Sequence, residues 1–207
     1  RKAAESALKE SEKRLRLMFE TAKDAMFVLK DGVFVDCNTM ALKMFAAERE
    51  QIIGEPPDVL FPPTQPNGRT SAELAAELVR AASSGRPQLF EWTHRRFDGV
   101  DFPSQVSLDS FDLAGRKYVQ AIVHDMTERR HAEEVRDVLF QISQALNESP
   151  ALDELLGTIH KQLGRLLDTT NFYVALYDEK TGPYTFPYHV DEEDELEDLE
   201  PTQLKRS

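Results

Sequence analysis

The sequence has little cysteine, no basic patch and no long apolar run, and each absence excludes a class of protein. Its only cysteine, Cys37, rules out an internal disulfide and favours a reducing compartment. No stretch approaches the roughly 20 apolar residues of a membrane-spanning helix, and nothing has the form of a signal peptide. We therefore expect no membrane insertion by this chain and a cytoplasmic location. The chain begins with Arg1 instead of Met, which suggests a piece of a longer polypeptide.

The net charge of −12 is concentrated near the C-terminus. Eight acidic residues and no basic residue lie between positions 191 and 200, so the rest of the chain carries only −4. A nucleic-acid-binding role is disfavoured because no basic face is available to neutralise phosphates. The acidic cluster is either a site for calcium or magnesium or a solvated, disordered segment, and its composition favours the segment.

Motifs that carry chemistry are also missing. None of the five histidines has another at the short spacing of a metal site, so no metal is predicted. His131 lies beside two glutamates on a charged helical run and is interpreted as a solvated residue. The sequence contains no glycine-rich phosphate loop and no nucleophile elbow. We expect this chain to be non-catalytic.

Both ends of the first 147 residues have the pattern of linker helices. Residues 1–22 and 126–147 carry small or apolar residues in alternating steps of three and four, which is the heptad seam of a coiled coil. An isolated amphipathic helix that packs on its own domain is the alternative, but the narrow seam with charged flanks favours a homodimer. The predicted dimer seam contains Leu8, Leu15, Met18, Ala132, Val135, Leu139 and Ile142.

Between these helices, the pattern predicts an α+β domain with a five-stranded antiparallel sheet and helices on one face. Two strands, Ala25–Leu29 and Val33–Cys37, flank an Asp-Gly turn. Short helices follow at 38–45 and 49–53, and a longer helix follows at 71–82. After Pro87 the apolar period becomes two, which predicts three further strands.

One face of the last three strands is rich in apolar side chains. These residues line a ligand cavity, form the core, or make a sheet face covered by the entry helix. The ordinary filling of such a sheet favours core or sheet-face packing. A ligand, if one binds, should be small and largely apolar. The candidate cavity residues are Phe90, Trp92, Val106, Leu108 and Ile122.

The six residues Asp125–Arg130 close the last strand and open a charged helix. Asp125 and Glu128 have the spacing of a capping box, and Asp125 could also pair with Arg129 across the first turn. The first five residues of the chain echo residues 129–133, which suggests that the same junction recurs upstream.

The helix and strand patterns of residues 148–207 predict an incomplete domain. A helix that starts at Ser149-Pro150 has a wide apolar face, and strands at 172–177 and 184–188 flank Thr181-Gly182-Pro183. This segment is too short to close a core of its own, and it ends in the acidic run.

Several of these motifs resemble the PAS domain of bacterial signalling proteins. The resemblance covers roughly residues 15–130, with the domain itself at 23–125, and rests on four segments: Asp31–Asn38, Phe90–Gly99, Phe102-Pro103 and, most specifically, Asp125–Arg130. Residues 148–190 are similar to the beginning of a GAF domain, through Asn171–Asp178 and Phe186–Tyr188.

The resemblance implies a dimeric input module, found in sensor histidine kinases and in cyclic-di-GMP enzymes. It implies that Asp125 and Thr127 couple the last strand to the output helix, with Glu128 and Arg129 completing the junction. No cofactor is predicted. The 71–82 helix lacks the histidine of haem-binding members, and Cys37 does not lie in the Asn-Cys-Arg-Phe motif of flavin-binding ones.

The function expected from these features is a sensory relay in a larger protein, most simply a sensor histidine kinase. A change in the sheet would pass through the junction into a dimeric coiled coil and on to the GAF and effector domains. A constitutive dimerisation scaffold and the input domain of a cyclic-di-GMP enzyme remain as alternatives.

Overall fold

The computed structural model describes residues 2–148, 151–177 and 184–190. The chain divides into two compact units, residues 1–128 and residues 129–207. The predictions for Ser149-Pro150, for the turn at 181–183 and for the acidic run at 191–200 lie outside the described residues.

The first unit consists of an N-terminal helix, two strands, a helical middle and three further strands. Its elements are α1 (Lys2–Thr21), β1 (Ala25–Lys30), β2 (Val33–Cys37), α2 (Thr39–Phe45), α3 (Arg49–Ile52), α4 (Ser71–Ser83), β3 (Gln88–Arg95), β4 (Asp101–Leu113), β5 (Arg116–Asp125) and the start of α5 (Thr127–Glu148).

The five strands form one antiparallel sheet in the order β2-β1-β5-β4-β3. This architecture confirms the predicted α+β fold class. The first hairpin turns at Asp31 and Gly32, whose φ angles of 52° and 85° are the positive values that a two-residue turn of this hand requires. The turn between β3 and β4 contains a second Asp-Gly pair, Asp98-Gly99, with Gly99 at φ 90°.

Phe45, at the end of α2, lies at the centre of the core and is fully buried. Its ring packs edge-on against Phe27, His94 and Phe102, with centroid separations of 5.6, 5.2 and 5.4 Å. Edge-to-face packing suits the ring quadrupole, so this cluster joins β1, β3 and β4 to the helical layer.

The last residue of α1 and the first residue of α5 lie close to the same end of two neighbouring strands, β1 and β5. β1 begins just after α1, β5 ends just before α5, and Ala25 pairs with Val123 across these antiparallel strands. Asp24 and His124 are therefore neighbours, and Nδ1 of His124 lies 2.7 Å from Oδ1 of Asp24. A movement of α1 thus reaches the sheet beside the origin of α5.

Asn38 fixes the end of α1 to the sheet and to α2. Its buried side-chain oxygen accepts from the backbone N–H groups of Met26 and Ala41, at 3.0 and 2.9 Å. Its amide nitrogen donates to the carbonyl groups of Phe19 and Asp24, at 3.1 and 3.0 Å. All four hydrogen-bonding positions of the amide are used, so burial leaves nothing unpaired.

In the second unit, α5 continues to Glu148 and is followed by α6 (Leu152–Leu163), β6 (Phe172–Tyr177) and β7 (Tyr184–Val190). β6 and β7 pair antiparallel, with Phe172 opposite Val190. His160 on α6 stacks on Phe172 and lies 3.0 Å from the Tyr188 hydroxyl. Leu156 is buried here, as are Val138 and Ala145 on α5, which the heptad pattern did not single out. Within the described ranges, no helix is both long and apolar enough to cross a bilayer.

Asn38→Ala should lower the free energy of unfolding by about 3 kcal/mol, because four backbone groups lose the buried side chain that is their partner. Urea denaturation of the purified chain measures this loss. The matched control is Asn67→Ala, since Asn67 is exposed and accepts one hydrogen bond, from Arg69. We expect that control to cost less than about 1 kcal/mol, and equal losses in the two variants would contradict the role of Asn38.

Candidate functional site

The carboxylate of Asp125 joins the sheet to the first turn of α5. Its Oδ1 accepts from the backbone N–H of Thr127 at 2.8 Å and from the Thr127 hydroxyl at 2.5 Å. A short acidic side chain two residues ahead of a helix accepts hydrogen bonds from backbone N–H groups that have no partner within the helix. Its negative charge also interacts favourably with the positive end of the helix dipole. Met126 adds a backbone hydrogen bond to the carbonyl of Pro103 on β4, at 2.9 Å.

Arg96 is the partner of the second carboxylate oxygen. Its Nη2 donates to Oδ2 of Asp125 at 3.1 Å, and its guanidinium lies 4.9 Å above the ring of Phe102. The ion pair is partly shielded, since 32% of the Arg96 side chain and 26% of that of Asp125 remain exposed. Nε of Arg96 is buried and has no hydrogen-bond partner among the described residues, so Asp125 and the aromatic ring hold this cation in place.

The predicted partners of Asp125 need correction. The sequence pairs Arg129 with Asp125, but Nε of Arg129 donates to Glu133 one turn further along α5, at 2.9 Å. Arg96 was not predicted, although the period of two that places Trp92 and His94 on one face of β3 also places position 96 there. Within the helix start, the hydrogen bonds to Asp125 come from the backbone N–H and the hydroxyl of Thr127, whereas the capping-box prediction expects them from Glu128.

A cavity of about 60 Å³ lies between the sheet, α4 and the short 3₁₀ helix Pro57–Leu60. Phe90, Trp92, Val106 and Leu108 line it, where the alternating pattern predicts a cavity or core. Ile122 does not line the cavity. Successive side chains of a strand point to opposite faces, so its neighbours Ala121 and Val123 face the cavity instead.

His94 lies in this wall and is held by a chain of two hydrogen bonds. The Ser104 hydroxyl lies 2.9 Å from the carbonyl oxygen of Trp92 and 2.7 Å from Nδ1 of His94. Burial lowers the pKa of His94 to about 3, and the negative charge of Asp125 opposes this shift without reversing it. The imidazole is therefore neutral at physiological pH.

His94 also connects the cavity to the junction. Its ring stacks on Phe102 with centroids 5.7 Å apart, and Phe102 also contacts the Arg96 guanidinium. Arg96 in turn binds Asp125. A continuous set of contacts thus leads from the cavity wall to the start of α5.

The C-terminal end of α1 is held by Asp36 on β2 and by Thr39 at the start of α2. Arg16 lies 2.7 Å from Glu20 and 3.0 Å from Asp36, and Arg49 forms a further ion pair with Asp36. Glu20 accepts from the backbone N–H and the hydroxyl of Thr39, at 2.9 and 2.8 Å. Burial raises the pKa of Glu20, but these hydrogen bonds and the charge of Arg16 outweigh it, and the net shift is downward.

The seam residues of the linker helices are largely exposed in the single chain. Leu8, Leu15 and Met18 have 61%, 64% and 65% of their surface accessible, and Leu139 has 61%. Ala132 is exposed, whereas Val135 and Ile142 are partly covered. Across the part of the chain that the structure describes, no three His, Cys, Asp or Glu side chains gather into a group that could hold a metal ion.

His94→Leu should make the stability of the protein less sensitive to acid. Unfolding raises the His94 pKa from about 3 toward 6.5, so the unfolded state takes up a proton between these values and stability falls as the pH drops. The variant lacks that uptake, so its free energy of unfolding should fall less steeply, by about 1 kcal/mol per pH unit below pH 6. Urea denaturation between pH 6.5 and pH 4.5 measures the two slopes. His131→Leu, at an exposed position of α5, is the control, and parallel curves for wild type and His94→Leu would contradict the assignment.

Comparison with known proteins finds two sensors among the relatives of this chain. The chain is 24% identical over 182 residues to the sensor protein FixL of Bradyrhizobium diazoefficiens, covering 84% of this chain and 34% of FixL. It is 26% identical over 167 residues to a methyl sulfide methyltransferase-associated sensor of Methanosarcina acetivorans, covering 77% of this chain and 15% of that protein. The chain thus spans about a third or less of these curated relatives.

The fold also matches a solved domain. The PAS domain of an HTR-like protein from Haloarcula marismortui superposes with a TM-score of 0.53 at 25% identity, covering 60% of this chain and 99% of that one. The family model described as PAS domain matches residues 23–128, from just before β1 to the first turn of α5. That match spans more than half of the chain, so this protein belongs to the PAS domain family.

Proposed function

We propose that this chain is the sensory and signal-transducing part of a larger protein, most simply a sensor histidine kinase. FixL and the methyltransferase-associated protein are both sensors, and each is much longer than this chain. In this proposal the PAS domain itself carries no catalytic group. The proposal includes no haem or flavin, and the small volume of the cavity, about 60 Å³, supports this part of it.

The observation that carries the proposal is the double attachment of Asp125. One carboxylate oxygen holds Arg96 at the end of β3, and the other holds the first residue of α5. A shift of β3 relative to β5 therefore changes the position or the order of the helix start. Because the attachment is a discrete set of charge-assisted bonds, it supports two alternative arrangements better than continuous bending.

The same relay can be driven from the N-terminal side. The Arg16, Glu20 and Asp36 network and the buried Asn38 amide bind the end of α1 to β2 and α2. The His124–Asp24 contact places that anchoring beside β5. An upstream domain that turns α1 would thus move the strand that ends at Asp125.

The output of the relay would be a change in a homodimeric coiled coil. The exposed leucines on α1 and α5 repeat at heptad spacing, and a second copy of the chain is the partner that matches such a seam. Downstream, α6 and the β6–β7 hairpin would form the first elements of a GAF domain, which the relay would move before an effector domain.

A constitutive dimerisation scaffold is the second candidate, because the exposed seam supports pairing with or without a signal. The two functions differ at Arg96, which a scaffold does not need.

Arg96→Met should change the output of the longer protein that carries this chain by about fivefold or more, since a coupling of 1–3 kcal/mol corresponds to such factors. Methionine keeps contact with Phe102 but cannot hold Asp125. The output is measured as effector activity, which is autophosphorylation if the effector is a histidine kinase.

Arg95→Met is the matched control. Arg95 forms a two-bond ion pair with Asp101 on the exposed edge, at 2.5 and 2.9 Å, and has no contact with Asp125. We expect it to leave the output unchanged. If Arg96→Met folds normally and gives wild-type output, the relay is wrong and the scaffold is favoured.

Leu15→Glu should convert a dimer into a monomer, because a charge replaces a central seam residue. Sedimentation equilibrium of the 207-residue chain measures the change. Leu17→Glu is the control, since Leu17 is also exposed on α1 at 53% but lies off the seam. Dissociation by both variants, or by neither, would contradict the predicted seam.

A further inference from the structure

The wall of the interior cavity is apolar except at two residues, His94 and Trp92, whose rings carry nitrogen atoms. Sixteen residues of the described chain line it, among them Phe27, Phe34, Leu60, Leu78 and Val79. His94 is the only one of the sixteen whose side chain offers a hydrogen-bond acceptor. No lysine or arginine lies in the wall, so nothing there would compensate the burial of an anion.

The hydrogen bonds of Ser104 determine which nitrogen of His94 carries the proton. A carbonyl oxygen has no hydrogen, so the Ser104 hydroxyl donates its only proton to the carbonyl of Trp92. The contact between Ser104 Oγ and His94 Nδ1 must then use a proton on Nδ1. A neutral imidazole has one N–H, so Nε2 carries a lone pair and can only accept.

The size of the cavity limits what can bind. A cavity that holds one water has a volume of roughly 10–15 Å³, so the space of about 60 Å³ holds about four to six non-hydrogen atoms. A molecule that fills it gains by burying apolar surface against the phenyl and aliphatic side chains. It gains further if it gives Nε2 a proton to accept, because an unpaired buried acceptor is costly.

We propose that this cavity binds a small neutral molecule, apolar except for one hydroxyl group, which donates its proton to Nε2 of His94. A short-chain alcohol is the simplest member of this class. As a signal, such a ligand rests on the sensory function proposed above. As a binding event it can be measured independently of that function.

Binding of this ligand would affect the side of the cavity that is connected to Asp125. His94 stacks on Phe102, which carries the Arg96 guanidinium, and Arg96 holds Asp125. A ligand that fixes the imidazole ring therefore also restrains the Phe102 ring, against which the Arg96 guanidinium packs.

The experiment compares two isomers of C4H10O, 1-butanol and diethyl ether. Both have five non-hydrogen atoms, but only the alcohol donates a hydrogen bond. Each is titrated into the isotopically labelled 207-residue chain and followed by NMR, through the amides of cavity residues and the ring nitrogens of His94. We expect 1-butanol to bind about tenfold more tightly than the ether, and the His94 Nε2 resonance to move upfield only with the alcohol.

Two pairs of variants locate the site. Ala75→Leu on α4 fills the cavity and should abolish binding, whereas Ala76→Leu on the exposed face of the same helix should not affect it. His94→Leu should bind both isomers equally weakly.

Equal affinity of the wild-type chain for the two isomers, no saturable binding of 1-butanol, or a proton found on Nε2 would each overturn the proposal. These results do not depend on any variant. They would leave the relay through Asp125 standing, because its test is the output of Arg96→Met.

Discussion

The charge-assisted contacts of one carboxylate, that of Asp125, determine how this PAS domain is connected to its C-terminal helix. The side chain is short and lies at the last position of β5, so it reaches only groups that the sheet brings to this edge. These are Arg96 from the end of β3 and the start of α5. Without Asp125, the partly buried Arg96 would lose the carboxylate that compensates its charge, and the helix start would lose its acceptor.

Strand alternation explains why the cavity and the junction belong to one system. Trp92 and His94 share a face of β3, and Arg96 follows at the same spacing of two, one residue beyond the end of the strand. The first two line the cavity and the third holds Asp125. Phe102 on the neighbouring strand contacts both His94 and Arg96, which closes the connection. Because β1 pairs antiparallel with β5, the residues that anchor α1 lie beside the end of β5 that carries Asp125.

Local patterns predicted the fold well and the site only in part. The Asp31-Gly32 turn, the period of two after Pro87 and the change of period at Asp125 locate every strand of the sheet, because each reflects a local conformational preference. Asp125 and Arg96 are separated by 29 residues, and only the strand order decides that Arg96 reaches the carboxylate instead of Arg129. The assignment of Ile122 to the cavity is wrong, since alternation places Ala121 and Val123 there. The sequence predicts only that Asn38 opens a helix, and its contact with Phe19 depends on how α1 returns to the sheet.

The most direct test of the Asp125 attachment is amide hydrogen exchange of α5 in wild type and in Arg96→Met. Residues 130–133 provide the first amides that bond within the helix, so they report whether its first turn is held. The account predicts faster exchange at these amides in the variant, with unchanged exchange at Val119 and Ala121 in the middle of β5. Unchanged exchange at residues 130–133, or a uniform increase across the sheet, would contradict it.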